Sequence, residues 1–333
     1  MGILIYGLGM LSLYLFVPII LKIMPSFINY GIFFHLVCPP NFISKLNQPK
    51  TWWKLKDVVN YTIELPMNES IGVWHMNPIT TNANPETVKK VVLYCHGNAH
   101  HRAQSNRLGL YKVLRENGFH VVTFDYRGFA DSRKAELPTE RCAIDDIITV
   151  IQWMYQQNIA TKDSQFLLWG HSLGTSLSTQ ALCNLQDSHP HLAPDGLVLE
   201  APFNTLMDEI KCYPLSKFFM KLYPGRLLIS LLEQAFHIQH FKLNTDDYLL
   251  DVKCPVLILH AEDDGKVDVA LARKLFDTSC NNANCQNKSI KFVLFKKKHG
   301  LGHCCIHRHH ALNSILLDFF NQKNVPEKVM TLI

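Results

Sequence analysis

No run of basic residues longer than Lys296-Lys297-Lys298 occurs in the 333 residues, and the formal charge of +5 is spread thinly. The electrostatic footprint of a nucleic-acid-binding domain is therefore missing, and a mildly basic surface suits anionic lipid headgroups better. Cysteine is scarce. Ten residues in a chain of this length exclude a disulfide scaffold, and Cys95 and Cys254 sit in or beside apolar runs that read as buried strands. Mostly free thiols are expected, with Cys280 and Cys285 the pair whose loop setting invites a bridge. No internal repeat or low-complexity tract is visible. Charged residues make up only 18%, against 47% hydrophobic, so some of the apolar surface is expected to face lipid rather than a core.

The N-terminus supports that expectation. Ile3 to Leu21 carries no charge over nineteen residues, and at about 1.5 Å per residue it nearly spans a hydrocarbon layer of about 30 Å. Residues 1–22 are read as a transmembrane anchor, with Pro18 near its end and Lys22 as a snorkelling residue. A secretory signal is the alternative, but it lacks a basic leader and a small-residue cleavage site. Phe27 to Val37 is aromatic but short, so residues 23–56 are read as an interfacial, juxtamembrane segment. Lys22, Lys45, Lys50, Lys54 and Lys56 argue for a cytosolic domain by the positive-inside rule. The sequons at Asn60, Asn68 and Asn287 matter only if it is lumenal, and the side stays open.

From Asp57 onward short β-rich runs alternate with amphipathic stretches, which is the pattern of a mostly parallel sheet with helices on both faces. Strands are expected at Val58–Leu65, Ile71–Trp74, Val91–Cys95, His120–Phe124, Phe166–Gly170, Gly196–Glu200, Val256–His260 and Lys291–Phe295. These eight fit one α/β domain over 57–333. Helices are expected at Arg102–Glu116, Glu140–Gln156, Leu173–Asn184, Val269–Thr278 and Ala311–Asn321.

The sharpest motif is Gly170-His171-Ser172-Leu173-Gly174, directly after the apolar strand ending at Trp169 and directly before a helical run. A serine in such a strand-to-helix turn is forced into strained backbone angles that expose its oxygen, and the flanking glycines let strand and helix approach. The helix N-terminus then favours developing negative charge. An isolated G-x-S-x-G arises by chance; this order of elements makes Ser172 a candidate nucleophile.

Its partners can be sought by position. Leu173 and the turn at Asn98, after the strand ending in Tyr94-Cys95-His96-Gly97, are the candidate backbone donors of an oxyanion hole, with His96 bracing the loop. The strand Pro255 to His260 ends in Glu262-Asp263-Asp264. Asp264 is favoured as the acid because it lies in the loop beyond the strand; Asp263 and Glu200 are alternatives. A histidine after the last strand must act as base. His303 is favoured over His299, because the glycines before it make its loop flexible while three lysines adjoin His299. His299, His303, Cys304, Cys305 and His307 are also zinc-ligand types, but Gly300 and Gly302 spoil the helical spacing. No metal or organic cofactor is expected.

These residues, with Val121-Val122-Thr123-Phe124-Asp125-Tyr126-Arg127-Gly128 and Glu200-Ala201-Pro202-Phe203, resemble the lysophosphatidylserine lipase and monoacylglycerol lipase branch of the α/β-hydrolases, the domain-twelve subfamily. The resemblance covers about Val58 to Phe320. It implies an α/β-hydrolase fold, an integral endoplasmic-reticulum membrane enzyme with a lumenal domain, and cleavage of acyl esters of lysophospholipids and monoglycerides. It carries nucleophile, acid and base onto Ser172, Asp264 and His303. The sequence departs from it in three places. His100 and Ala130 stand where the subfamily has glycine, and Gly265-Lys266-Val267-Asp268 lacks a proline.

Residues 203–248 form an apolar and aromatic insertion read as a helical lid able to bind an acyl chain. A single-chain lipid and the bilayer are the expected partners, and no obligatory protein partner is inferred. Two rivals remain: a thioesterase or protein depalmitoylase on the same scaffold, and a catalytically silent binding protein.

Overall fold

The computed structural model describes residues 19, 22–24, 26–33, 40–79, 88–134, 137–213, 216–217, 221, 225–282, 288–321 and 328–333. The expected anchor at 1–22 lies almost wholly outside them, as do Cys285, Asn287 and part of the insertion. Among the described residues no helix is long and apolar enough to cross a membrane.

In the described residues nine strands form one sheet: β1 Val58–Glu64, β2 Ser70–Met76, β3 Lys90–Cys95, β4 Phe119–Phe124, β5 Gln165–His171, β6 Gly196–Glu200, β7 Val256–Ala261, β8 Ile290–Phe295 and β9 Lys328–Leu332. Their order is β1-β2-β4-β3-β5-β6-β7-β8-β9, with β1, β2 and β4 paired antiparallel and every pair from β4 to β9 parallel. The expectation of eight strands is corrected by β9. Its five residues pair with β8 at the sheet edge, half-buried and exposed positions alternate, and so short a run gives little periodicity to read.

The sheet divides the core in two. Val91, Leu93, Phe166, Leu168, Val256 and Ile258 face one side, while Val92, Tyr94, Leu167, Trp169, Leu257 and Leu259 face the other. That is the two-residue period of a strand buried on both faces, and each such side chain contributes about 1.5–3 kcal/mol by leaving water. Preceding the sheet are α1 Phe27–Ile32, α2 Pro40–Leu46 and α3 Pro49–Trp53; within it come α4 Ser105–Glu116, α5 Glu140–Gln156 and α6 Leu173–Ser188. The chain continues through α7 Leu206–Cys212, α8 Gly225–Ile238, α9 Thr245–Asp251, α10 Val269–Asn281 and α11 Leu312–Asn321. Thr139 caps α5 by accepting from the Cys142 N–H at 3.2 Å, and Ile144, Ile147, Val150, Ile151 and Met154 recur at helical spacing on its buried face. Leu110, Tyr111 and Leu114 of α4 and Leu312, Leu316 and Phe319 of α11 cover the opposite face.

The stretch beginning at Phe27 docks in part on the domain. Ile28, Ile32 and Phe33 are buried, and the Phe33 ring lies 6.3 Å from Phe129 and 5.9 Å from Phe241. Asn29 donates to the Pro138 carbonyl at 3.2 Å. Hydrophobicity alone does not separate a lipid-facing surface from a docking one. Further along, the Trp74 indole donates to the Leu46 carbonyl at 2.9 Å and Trp53 packs edge-on against Trp74.

The insertion between β6 and β7 leaves and returns at one place. Thr205 bridges Asn244, the Leu206 N–H donates to the Leu243 carbonyl at 3.2 Å, and the Glu140 carboxylate accepts from the N–H groups of Lys242 and Leu243. Ala235, Phe236, Phe241 and Leu243 are buried at its returning end.

Candidate active site

Ser172 stands between β5 and α6 with φ 53° and ψ −121°, a conformation that costs an L-residue about 1–3 kcal/mol unless its surroundings impose it. They do. The Ser172 N–H donates to the Glu200 carbonyl at 2.9 Å, and its own carbonyl accepts from the N–H and hydroxyl of Thr175. A Cβ on Gly174 would stand 2.2 Å from the Cys95 carbonyl oxygen, and one on Gly170 would stand 2.4 Å from the Gly174 oxygen. Only glycine permits that approach of β3, β5 and α6. A Cβ on Gly97 would lie 3.2 Å from Cβ of Ser172, so the loop entering Asn98 lies directly against the serine. Leu173 is the first residue of α6, where backbone N–H groups have no partner within the helix.

Asp264 and His303, thirty-nine residues apart, are brought together by the loops after β7 and β8. His303 Nδ1 lies 2.8 Å from Asp264 Oδ2. Asp264 Oδ1 accepts from the N–H groups of Lys266 and Val267 at 2.8 and 3.0 Å, and His260 Nε2 stands 3.3 Å from Oδ2. Burial pushes the Asp264 carboxyl up, but the hydrogen bonds and charges of His260 and His303 outweigh it and hold the group well below the usual carboxylate range. Asp263 accepts from the Gly302 N–H at 3.0 Å, tying down the loop that carries His303. His299 packs edge-on against His309. The His303 carbonyl accepts from Nε2 of His171 at 2.9 Å, which ties that loop to the residue preceding Ser172.

His96 is fully buried, stacks near Tyr126 and Phe129, and places Nδ1 2.6 Å from the Gly97 carbonyl. Burial and the nearby Arg107 cation hold its imidazole well below the usual range, so it stays neutral. Its loop is pinned twice more. Arg107 donates to the carbonyls of Ala99 and His101 at 2.6 and 2.7 Å, and the Arg102 N–H donates to Asp125 Oδ1 at 2.7 Å while its guanidinium spans Asp125 and Asp131. The reading of the sequence missed Arg107 and His260. His260 lies inside the quoted strand motif, whereas nothing in the local pattern of α4 marks Arg107 as a brace.

Glu200 accepts the Trp169 indole N–H at 2.9 Å. Burial raises its carboxyl to about 7, the Trp169 bond opposing and the Asp264 charge reinforcing the rise. A raised folded value means that the native state holds the proton longer than the unfolded chain does. The associated stability is present below the unfolded value near 4.3 and is lost as pH rises through about 7. Glu200→Gln should therefore gain on the wild type between pH 5 and 8, by up to roughly 3 kcal/mol. Denaturant melts at both pH values check this, and an unchanged difference contradicts it.

Residues 86–246 match the serine aminopeptidase S33 family of hydrolases. A lysophosphatidylserine lipase, ABHD12 of Danio rerio, is 35% identical over 322 residues, spanning 93% of this chain and 81% of the relative. The chain belongs to the family of the lysophosphatidylserine lipases. The human protein ABHD12B is 32% identical over 80% of this chain and 74% of its own length. Among solved structures, the Pyrococcus furiosus esterase Pf2001 superposes with a TM-score of 0.60 at 17% identity, covering 83% of this chain and 93% of the esterase. That likeness shows the α/β-hydrolase fold.

Two of the departures from the lipase subfamily acquire a physical meaning. His100 has φ 65° and Ala130 has φ 48°, both in the left-handed region where glycine is unstrained. Ala130 lies in the turn after β4, close to the Gly128 N–H bonded to the Ser132 carbonyl. Ala130→Gly should stabilise the domain by about 1 kcal/mol, the relief of the left-handed strain exceeding the added freedom of the unfolded chain. A rise in thermal midpoint tests it, and a fall contradicts it.

Proposed function

We propose that the chain is a membrane-anchored serine hydrolase that cleaves acyl esters of lysophospholipids, of the lysophosphatidylserine kind, and of monoacylglycerols. The observation that carries this reading is the strained Ser172 at the strand-to-helix corner, with the Asp264–His303 pair held by a loop bonded to His171.

Ser172 Oγ attacks the ester carbonyl as His303 takes its proton on Nε2, and the resulting oxyanion is received by the N–H groups of Leu173 and Asn98. Collapse expels the alcohol, which receives that proton, and leaves an acyl-enzyme. A water activated by His303 then releases the fatty acid. Asp264 keeps the hydrogen on Nδ1 and stabilises the imidazolium.

The remaining assignments are part of the same proposal. Residues 1–22 anchor the chain in a single pass, 23–56 form the juxtamembrane segment, and 57–333 form the catalytic domain with a lid at about 203–248. The amphipathic α8 and the buried Phe236 and Phe241 support the lid, which would shelter an acyl chain drawn from the bilayer. The resemblance read in the sequence implies the endoplasmic-reticulum membrane with a lumenal domain.

Membranes carrying the full chain, offered lysophosphatidylserine, a monoacylglycerol and an S-acylated cysteine peptide, test the substrate class. Release of fatty acid from the two oxygen esters is expected. Preferential turnover of the thioester would establish the depalmitoylase instead, and turnover of none would favour the silent binding protein.

A further inference from the structure

We propose that His171, His303 and Cys304 form an inhibitory site for a borderline-soft divalent cation of the zinc type, closing over Ser172. One ring nitrogen from each histidine and the Cys304 sulfur lie within 4.8 Å of one another. Zinc bonds of about 2.0–2.1 Å to nitrogen and 2.3 Å to sulfur put tetrahedral ligands roughly 3.3–3.8 Å apart, within reach of side-chain rotation. The set escapes a reading of local spacing because His171 comes from the elbow, 132 residues before His303.

Both histidines offer bare lone pairs. Asp264 accepts from Nδ1 of His303, which leaves Nε2 without hydrogen. The tautomer that suits a general base is thus also the one that binds a metal, and the carboxylate behind it completes a carboxylate–histidine–metal arrangement. His171 donates through Nε2 to the His303 carbonyl, so its bare lone pair is on Nδ1, which is buried with no hydrogen-bond partner. Burial and the neighbouring His303 lower this imidazole to about 3, so no proton competes for its lone pair at neutral pH. The two rings already lie 4.8 Å apart.

Binding forms a metal–sulfur bond and breaks the Cys304 S–H bond, whose proton leaves to solvent. Arg107 and Glu200 line a small pocket with His171 and Cys304, and they act in opposite senses on a dication. With three protein ligands, the fourth position is open to water. Occupancy removes the lone pair of His303 that takes the serine proton.

The inhibitory consequence rests on the proposed role of His303; metal binding does not. The full chain in detergent is therefore tested in two ways. In ester hydrolysis, zinc should inhibit the wild type reversibly, with recovery on adding EDTA. Cys304→Ala, and Cys304→Ser as a second variant, should keep the basal rate and need at least about tenfold more zinc. In Ser172→Ala, cobalt(II) should give a thiolate charge-transfer band that disappears when Cys304→Ala is added. Unchanged zinc sensitivity in both Cys304 variants, or a cobalt band that survives the loss of Cys304, overturns the proposal. A chain that shows the Cys304-dependent band yet hydrolyses no ester upholds the site and overturns the reading of His303 as the base.

Discussion

Ser172→Ala is expected to lower kcat for ester hydrolysis by roughly 10⁴ to 10⁶-fold, leaving a residue of activity due to binding and oxyanion stabilisation alone. The size of the effect follows from how poorly the neighbouring thiols would replace the hydroxyl, since burial raises the Cys304 thiol as well. His171 is tied to the His303 carbonyl, and Cys95, just before the oxyanion loop, is a buried thiol pushed above the range in which thiolate forms at neutral pH. The substitution removes one oxygen and leaves the glycine contacts around residue 172 in place, so the fold should persist. Single-turnover and steady-state rates on a monoacylglycerol check it. Wild-type kcat in the alanine variant would place the chemistry elsewhere.

Asp264→Asn carries the second largest effect. The carboxylate accepts four hydrogen-bonding approaches in the native state, from Lys266, Val267, His303 and His260. An amide keeps the size but offers an N–H to His303 Nδ1, which moves the imidazole hydrogen to Nε2, where the serine proton must go. About a 10³ to 10⁴-fold loss in kcat is expected, with KM little changed, since only the transition state uses the imidazolium. A KM effect with kcat preserved would make Asp264 a binding residue. The same residue links to stability. Its folded value is depressed, so its stabilisation is present above the ordinary carboxylate range and is lost as pH falls below it.

The parts of this molecule that were readable in advance are those whose causes are local. The elbow at Ser172 is written in one stretch of strand, turn and helix, and α5 begins at the Thr139 cap and runs through a regular buried stripe. Loops could be named but not joined: nothing in sequence spacing brings His303 to Asp264, or its carbonyl to His171, because those distances are set by the packing of β5, β7 and β8. Long-range braces were invisible for the same reason. Arg107 reads as an ordinary polar residue of a helix until its guanidinium is seen holding the carbonyls of Ala99 and His101 in the loop after β3. Phe27–Ile32 shows a different limit. Apolar character predicts that a surface leaves water, but not that Phe33, which ends this helix, packs on Phe129 and Phe241.

The most direct measurement is peptide mapping by mass spectrometry after the full-length protein reacts with a fluorophosphonate. The account predicts one stoichiometric adduct, on the peptide containing Ser172, that vanishes when the protein is unfolded first. A folded protein that takes up no probe, or takes it up on another serine, would contradict it.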